Sequence, residues 1–210
     1  LDSTQELSGQ SLYTGYTNIT AGNIGTGARP ELISNLQLAF GTGSTNATNI
    51  LPSTTILTFG GAASTMLGGG ALTLVGAAAT NAQTVASTTL NPGLTTVTLT
   101  NSGTYALTLN LGTLTRNVGS TLNANFGTSI SSTFNVQTTS GTAGTANLLT
   151  DANGAAYATV NGTDWASKDA GGTYMTALTG QSTGGTGTAP VALTAAVDYN
   201  FSDTGTFSGA

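Results

Sequence analysis

The chain has 210 residues, of which 5% are charged, and eight acids against three bases give a net charge of −5. Histidine and cysteine are absent, which excludes disulfides, thiolate metal sites, Ser-His-Asp triads and cysteine nucleophiles. The acidic balance and the lack of basic clusters argue against nucleic acid as a partner. No apolar stretch is long enough for a transmembrane helix, and we expect no cofactor.

Residues 1–16 are the least strand-like part, and we expect an irregular segment or a first rung over residues 1–30. Over residues 31–150, apolar residues alternate repeatedly with Thr, Asn or Gln, which predicts half-buried strands. The alternation is clearest at 36–40, 55–59, 71–75, 96–100, 105–111 and 133–137. Turn clusters separate these runs. In Asn91-Pro92-Gly93 the proline fits the second position of a type II turn and the glycine the third, where φ is positive. The best helical candidate, 70–83, is interrupted by Gly76 and Thr80, so we expect little helix.

The last third of the chain has a different character. Residues 151–182 predict a loop-rich insert around Trp165, because charged residues and turn clusters return there. Residues 183–210 predict further strands. We expect this segment to continue into more chain or to contact a neighbouring copy, since an uncapped solenoid end exposes unpaired backbone groups.

The uncharged stretch between Glu31 and Asp151, where Arg116 is the only charged residue, favours one all-β architecture. A sandwich usually carries Lys and Glu on its outer faces and uses them to protect its edges. In a parallel β-helix each rung covers the edge of the previous one, so neutral Thr, Ser and Asn can stack without like-charge repulsion. We therefore predict a parallel β-helix, with a β-sandwich or jelly roll as the alternative, because no strict repeat length appears.

Four segments carry a resemblance to a known family. The run Gly68-Gly69-Gly70-Ala71-Leu72-Thr73-Leu74-Val75-Gly76 resembles the G-x-L-T-L-x-G core of bacterial autotransporter-associated β-strand repeat proteins, and the pattern continues at 83–93, 109–117 and 158–166. The resemblance covers roughly residues 49–180. It implies a right-handed parallel β-helix passenger that is exported and displayed at the cell surface. The chain itself begins without a signal segment, so we interpret it as a mature or excised piece.

Without histidine or cysteine, any catalysis would have to use carboxylates. An enzyme that cleaves polysaccharides needs two facing carboxylates, and Asp164, Asp169 and Asp198 are the candidates. We favour a non-catalytic protein, since Asp164 also fits a turn beside Trp165. A weak calcium site is a further candidate at Asp151 and Asn153, but an Asx turn is the simpler interpretation.

A second weak calcium candidate is the pair Asp198 and Asp203, for which a turn at a strand end is the simpler interpretation. Arg116 could contact an anion, but we expect it to bond backbone carbonyls at a turn or to cover apolar surface with its stem.

The composition and the resemblance together favour a structural role. We predict an extracellular or cell-surface fibre, stalk or adhesive passenger whose stacked rungs form a stiff rod. Self-association, or continuation of the same chain, is expected at both ends. Surface glycans are the candidate ligands of an adhesive variant, through Trp165, Tyr157 and Tyr174.

Overall fold

The computed structural model describes residues 4–8, 16–19, 35–41, 48–60, 69–101, 105–127, 131–145 and 147–179. Every regular element in these ranges is a β-strand, which confirms the predicted all-β class. Residues 70–83 hold most of one strand, a turn and most of the next. Within the same ranges, no helix is long and apolar enough to cross a membrane. The predicted strands of 183–210, and with them Asp198 and Asp203, lie outside the described residues.

Most of the strands follow the alternation of apolar and polar residues, because they bury one set of side chains and leave the other set at the surface. The strands are β1 (Thr4–Leu7), β2 (Tyr16–Ile19), β3 (Asn35–Ala39), β4 (Ile56–Phe59), β5 (Gly69–Val75), β6 (Asn81–Thr84), β7 (Ser87–Leu90), β8 (Gly93–Thr100), β9 (Leu107–Asn110), β10 (Thr113–Arg116), β11 (Ser120–Asn125), β12 (Phe134–Gln137), β13 (Ala158–Val160), β14 (Asp164–Lys168) and β15 (Met175–Ala177).

The strands stack into three sheets. Sheet A has the order β1-β3-β5-β8-β11-β13-β14-β15, sheet B the order β2-β4-β7-β10, and sheet C the order β6-β9-β12. From β5 to β12 the chain visits sheets A, C and B in turn and then returns to A, and β13 to β15 all belong to sheet A. All strand pairs are parallel except β13–β14 and β14–β15. The fold is a parallel β-solenoid of about three turns, so the β-helix prediction is confirmed and the sandwich alternative is wrong.

The rungs differ in length, which explains why no repeat is visible in the sequence. One column of aligned positions in sheet A shows this. Its successive members are separated by 31, 36, 25, 27 and 36 residues: Thr4, Asn35, Ala71, Thr96, Asn123 and Thr159. The strands therefore keep a constant register while the loops between them vary, as loops on the surface generally do.

The core consists of aliphatic layers that stack along the solenoid. Leu74 and Leu109 are fully buried, and Phe59 fills the core from sheet B. Burying one such side chain contributes about 2 kcal/mol relative to leaving it exposed. Sheet A supplies two inward columns, and their members occupy the same depth in successive rungs: Leu36, Leu72, Val97, Ala124 and Val160 in one, and Leu38, Leu74 and Leu99 in the other.

Amide side chains, rather than charges, join the rungs at the corners, and those of Asn91 and Gln83 are buried. The Asn91 side chain donates to the Gly60 carbonyl at 2.8 Å, and the Asn117 side chain donates to Asn91 Oδ1 at 2.7 Å. The Gln83 amide accepts from the Leu51 backbone N–H at 2.9 Å and donates to the Leu51 carbonyl at 3.0 Å. These bonds satisfy polar groups that stacking would otherwise bury unpaired.

An antiparallel layer follows the last parallel rung. It consists of β14 and β15 together with residues 147–149. In this layer the Leu149 N–H donates to the Ala166 carbonyl at 2.8 Å. Strand β14 pairs with β13 on one side and with β15 on the other. The region predicted to be a loop-rich insert therefore contains strands that continue sheet A in the antiparallel sense.

Candidate functional site

Arg116 is the last residue of β10 and belongs to an inward-facing column of sheet B. It lies next to the segment that follows the solenoid. It aligns with Leu90 of the preceding rung, which in turn aligns with Phe59, and both of those are fully buried. Its Nε donates to the Ser120 carbonyl at 3.2 Å, as the structural interpretation predicts. Its Nη1 forms an ion pair with the Asp151 carboxylate. The guanidinium thus holds the corner after β10 to residues far along the chain.

The Tyr157 ring closes the same cluster. The Arg116 Cζ lies 5.8 Å from the centre of this ring, within the range of a cation–π contact. Tyr157 is only 3% exposed, and burial is the main reason that the pKa of its hydroxyl is raised to about 12. The ring therefore packs in the interior and offers no face to a surface ligand.

Asp151 organises a turn, as the Asx interpretation predicts. Its Oδ1 accepts the backbone N–H groups of Asn153 at 2.9 Å and Ala155 at 3.0 Å. The hydrogen bond from Ala155 is the main cause that holds the pKa of this carboxyl below its usual value. The contacts with Arg116 and Asn153 add to that effect against a smaller opposing effect of desolvation. The described ranges contain no group of three or more acidic side chains that could hold a metal ion.

The two described candidate acids of the carboxylate hypothesis do not face each other. Asp164 begins β14 and Asp169 follows its last residue, five positions further along an extended strand. Their Cα atoms are thus about 17 Å apart, well beyond the roughly 5–9.5 Å that glycosidase carboxyls need. Asp164 Oδ2 accepts from the Thr163 hydroxyl at 2.9 Å, so it has a local turn partner.

Asp169 has its own turn to organise. Its Oδ1 accepts the Tyr174 N–H at 2.7 Å, and its Oδ2 accepts the Gly171 N–H at 3.0 Å. Desolvation raises the pKa of Asp169, but the backbone hydrogen bonds and the Lys168 charge together outweigh it and leave the pKa below its usual value. The Asp169 carboxylate therefore stabilises the loop between β14 and β15 through hydrogen bonds to its backbone.

Lys168 is a structural residue that sequence reasoning missed. It is 4% exposed, and its Nζ donates to the Thr138 carbonyl at 2.8 Å. Burial lowers the pKa of its ammonium group. The signal was available in part, because Lys168 lies two residues after the apolar Ala166 and hence on the same face of a strand.

The three aromatic residues predicted to contact glycans lie in three different places. Trp165 is 48% exposed on β14, directly opposite Thr159 of β13. Tyr174 forms an antiparallel bridge with Gln137 at the end of sheet C and is half-buried. With Tyr157 buried beside Arg116, the structure does not bring the three rings into one site.

Trp165 belongs instead to the outer face of sheet A. Thr159 is flanked by the buried residues Ala158 and Val160, so its side chain points outward, and its direct cross-strand partner Trp165 points the same way. The outward column that ends at this indole is the one that runs through Asn123 and Thr96. A second outward column lies beside it: Glu6, Gln37, Thr73, Thr98 and Asn125.

This face has no charged side chain between β3 and β13. Some of its side chains form hydrogen bonds with each other. The Thr159 hydroxyl donates to Asn123 Oδ1 at 3.2 Å, and the Gln37 amide donates to Glu6 Oε2 at 2.8 Å. We define the outer face of sheet A from β8 to β14 as the ladder face. Trp165 marks one end of it.

Comparison with protein-family models, with curated protein sequences and with solved structures found no match to this chain. The resemblance to autotransporter-associated repeat proteins therefore rests on the sequence runs alone. The run at 68–76 does coincide with β5, the strand that joins β3 to β8 in sheet A.

Proposed function

We propose that this chain is a non-catalytic structural protein whose β-solenoid forms part of an extracellular or cell-surface fibre, stalk or adhesive passenger. The observation that supports the proposal best is the unbroken parallel ladder of sheet A from β1 to β13, which has aligned aliphatic side chains inside and, from β3 onward, neutral side chains outside. Each rung contacts mainly its neighbours, so adding rungs lengthens the structure without changing its cross-section.

A mechanical role follows from how the rungs are joined. Backbone hydrogen bonds run along the solenoid between successive strands, and the side chains of Asn91 and Asn117 extend this bonding at a corner. Bending the rod would stretch many of these bonds at once. Charges contribute little to this cohesion, so it should persist over a wide range of salt concentrations.

Display at the bacterial cell surface is the part of the proposal that rests on the resemblance. Low charge, no cysteine and a parallel solenoid suit an exported passenger, which has to fold outside the cell without disulfides. The experiment is to locate the parent protein by protease shaving and antibody labelling of intact cells. Labelling that appears only after lysis would contradict surface display.

Self-association, or continuation of the same chain, is proposed at the solenoid ends. In the described part of the chain, β1 and β2 are the outermost strands of sheets A and B on one side, and a strand edge of this kind can pair with another rung. A head-to-tail contact that does not close would produce a filament.

Electron microscopy and sedimentation at increasing protein concentration test end-to-end stacking. A variant with Thr73→Lys and Thr98→Lys serves as a control, because it alters a side face and leaves the end strands unchanged. Filaments that persist in this variant would support end-to-end contact. Dispersed monomers at every concentration in both proteins would contradict it.

An adhesive role is the second candidate, and the exposure of Trp165 favours it. Trp165 is 48% exposed on a sheet face that carries mainly hydroxyls and amides, together with Leu94 of β8, which is 57% exposed. An exposed aromatic ring in such surroundings is a common kind of contact for sugars. A glycan array comparing Trp165→Ala with the parent protein tests this role. Equal binding profiles would remove Trp165 from it.

A further inference from the structure

The ladder face combines one exposed aromatic ring with an array of unused polar groups. The side chains of Thr96, Thr98 and Asn125 make no hydrogen bond to another residue in the described part of the chain, and all three are partly exposed. Each threonine hydroxyl keeps one donor and two acceptor positions, and the asparagine amide keeps both functions. A ligand with many hydroxyls could satisfy these groups without displacing an internal bond.

The charge of this face selects among polymers. No basic side chain lies on sheet A between β3 and β13, and the two described bases, Arg116 and Lys168, are turned toward the interior. Polyanions such as nucleic acids and acidic polysaccharides depend on Lys and Arg for much of their affinity. The face therefore suits an uncharged ligand.

The spacing of this face selects an orientation. Neighbouring strands of a sheet are about 4.8 Å apart, which is close to the rise of one sugar in an extended β-linked glycan. A glycan lying across the strands, along the solenoid axis, would meet an equivalent position at nearly every sugar. The distance from Thr96 to Trp165 covers three strand intervals, or about 14 Å, which corresponds to about three sugars.

Trp165 supplies the apolar contact that such a ligand needs. The axial C–H groups of a β-linked pyranose form an apolar face, and an exposed indole can pack against it. Asp164, the neighbouring acid, alternates to the opposite side of β14 and bonds Thr163, so it does not place a charge beside the ring.

We propose that the ladder face binds a neutral, extended, β-linked polysaccharide, with Trp165 stacking on one sugar and Thr96, Thr98 and Asn125 bonding the hydroxyls of the next ones. This inference deepens the adhesive role proposed above and rests on it, but it does not depend on filament formation. Loss of glycan binding would leave the structural proposal untouched, and monomers in the micrographs would leave the glycan proposal untouched.

The test uses the full 210-residue chain with cellulose, chitin and their soluble oligosaccharides as probes. Trp165 is the only tryptophan in the chain, so its fluorescence reports directly on occupancy of the proposed site. We expect a shift in emission with the neutral β-linked oligosaccharides, depletion of the protein by one of the insoluble polymers, and neither effect with α-linked dextran or anionic pectate.

Two variants and a matched control locate the site. Trp165→Ala should weaken binding about tenfold or more, as truncation of an aromatic anchor does. Thr98→Lys should also weaken it, while Thr89→Lys, the same change at an outward position between Thr58 and Thr115 on sheet B, should bind like the parent. Circular dichroism should confirm that all three variants are folded.

Three results would overturn the proposal. The first is no response to any neutral polysaccharide. The second is equal affinity of Thr98→Lys and Thr89→Lys, which would remove the ladder from the site. The third is self-association of the parent that Thr98→Lys abolishes in the absence of glycan, because the face would then be a contact between copies of the chain.

Discussion

The two basic side chains that the structure describes both fasten residues beyond β12 to the parallel rungs. Arg116 reaches from β10 to Asp151, and Lys168 reaches from β14 to the Thr138 carbonyl after β12. Neither contacts a solvent-exposed partner on the ladder face. In a chain with so few charges, these cations act as structural contacts rather than as part of a binding surface.

The first prediction separates the two roles of Asp151. Asp151→Asn keeps an oxygen that can accept from Asn153 and Ala155 but removes the charge opposite Arg116, whereas Asp151→Ala removes both. We expect both variants to be less stable than the parent at neutral pH, with Asp151→Ala the less stable, because it also leaves turn N–H groups unpaired. Urea unfolding measures the order, and equal stability of the two variants would contradict a role for the turn.

The pH dependence of this difference follows from the lowered pKa of Asp151. A carboxyl whose pKa is lower in the folded than in the unfolded protein adds stability that is fully present above its ordinary value of 3.8. That stability is lost as the pH falls through the lowered pKa. The gap between the parent and Asp151→Asn should therefore be constant at higher pH and shrink below 3.8. A gap that stays unchanged in strong acid would show that the charge contributes nothing.

At the scale of the element, glycines allow the rungs to approach each other at the corners. Gly112 has φ +61°, and a Cβ there would lie 2.2 Å from the Ala86 carbonyl oxygen of the preceding rung. Gly127 has nearly the same backbone conformation, φ +63°, but a Cβ there would have nothing within 4 Å in the described structure. Comparing the same substitution at Gly112 and at Gly127 therefore separates the cost of backbone strain from the cost of a steric clash between rungs.

We predict that Gly127→Ala costs about 1 kcal/mol, the ordinary penalty for a left-handed alanine. Gly112→Ala should cost at least about 3 kcal/mol or prevent folding, because the backbone of the preceding rung at Ala86 would also have to move. Urea unfolding of the two variants checks this. Equal losses would mean that the corner can open without cost.

The neutral surface of sheet A gives a second prediction at this scale. Thr73 and Thr98 are direct neighbours in adjacent rungs and both point outward. Lysines at both positions should repel each other by about 0.2–1 kcal/mol, measured as the coupling energy of a double-mutant cycle. The matched control pair, Thr73→Lys with Thr89→Lys, places the charges on different sheets and should show no coupling. Coupling of the same size in both pairs would contradict a register effect.

The strands could be predicted from the sequence because their alternation is local. The runs at 71–75 and 133–137 match β5 and β12 closely, and Gly93 has the positive φ, +120°, expected after Pro92. The burial of Tyr157 and Lys168 could be predicted from the sequence only in part, since alternation places Lys168 on the face of Ala166 but does not show what covers that face. It depends on segments distant in sequence that cover both faces of a strand, and alternation says nothing about such cover.

At the scale of the whole molecule, stability comes from stacked aliphatic layers, backbone ladders and buried amides, while charges take part at few points. In the described ranges the ion pair between Arg116 and Asp151 is the single salt bridge between side chains. It is largely shielded from solvent, with 17% and 14% of the two side chains exposed. Salt screens such a pair much less than an exposed one.

The final prediction is that the free energy of unfolding is nearly independent of salt. At about 1 M NaCl the Debye length falls to about 3 Å, which removes most interactions between exposed charges. The parent protein has few of these to lose, so its stability in urea should change by less than about 0.5 kcal/mol. The Thr73→Lys, Thr98→Lys variant should instead gain stability with salt, since screening relieves the repulsion between its adjacent lysines. If the parent responded to salt as strongly as this variant, long-range charge interactions would have to contribute to the stability of the solenoid.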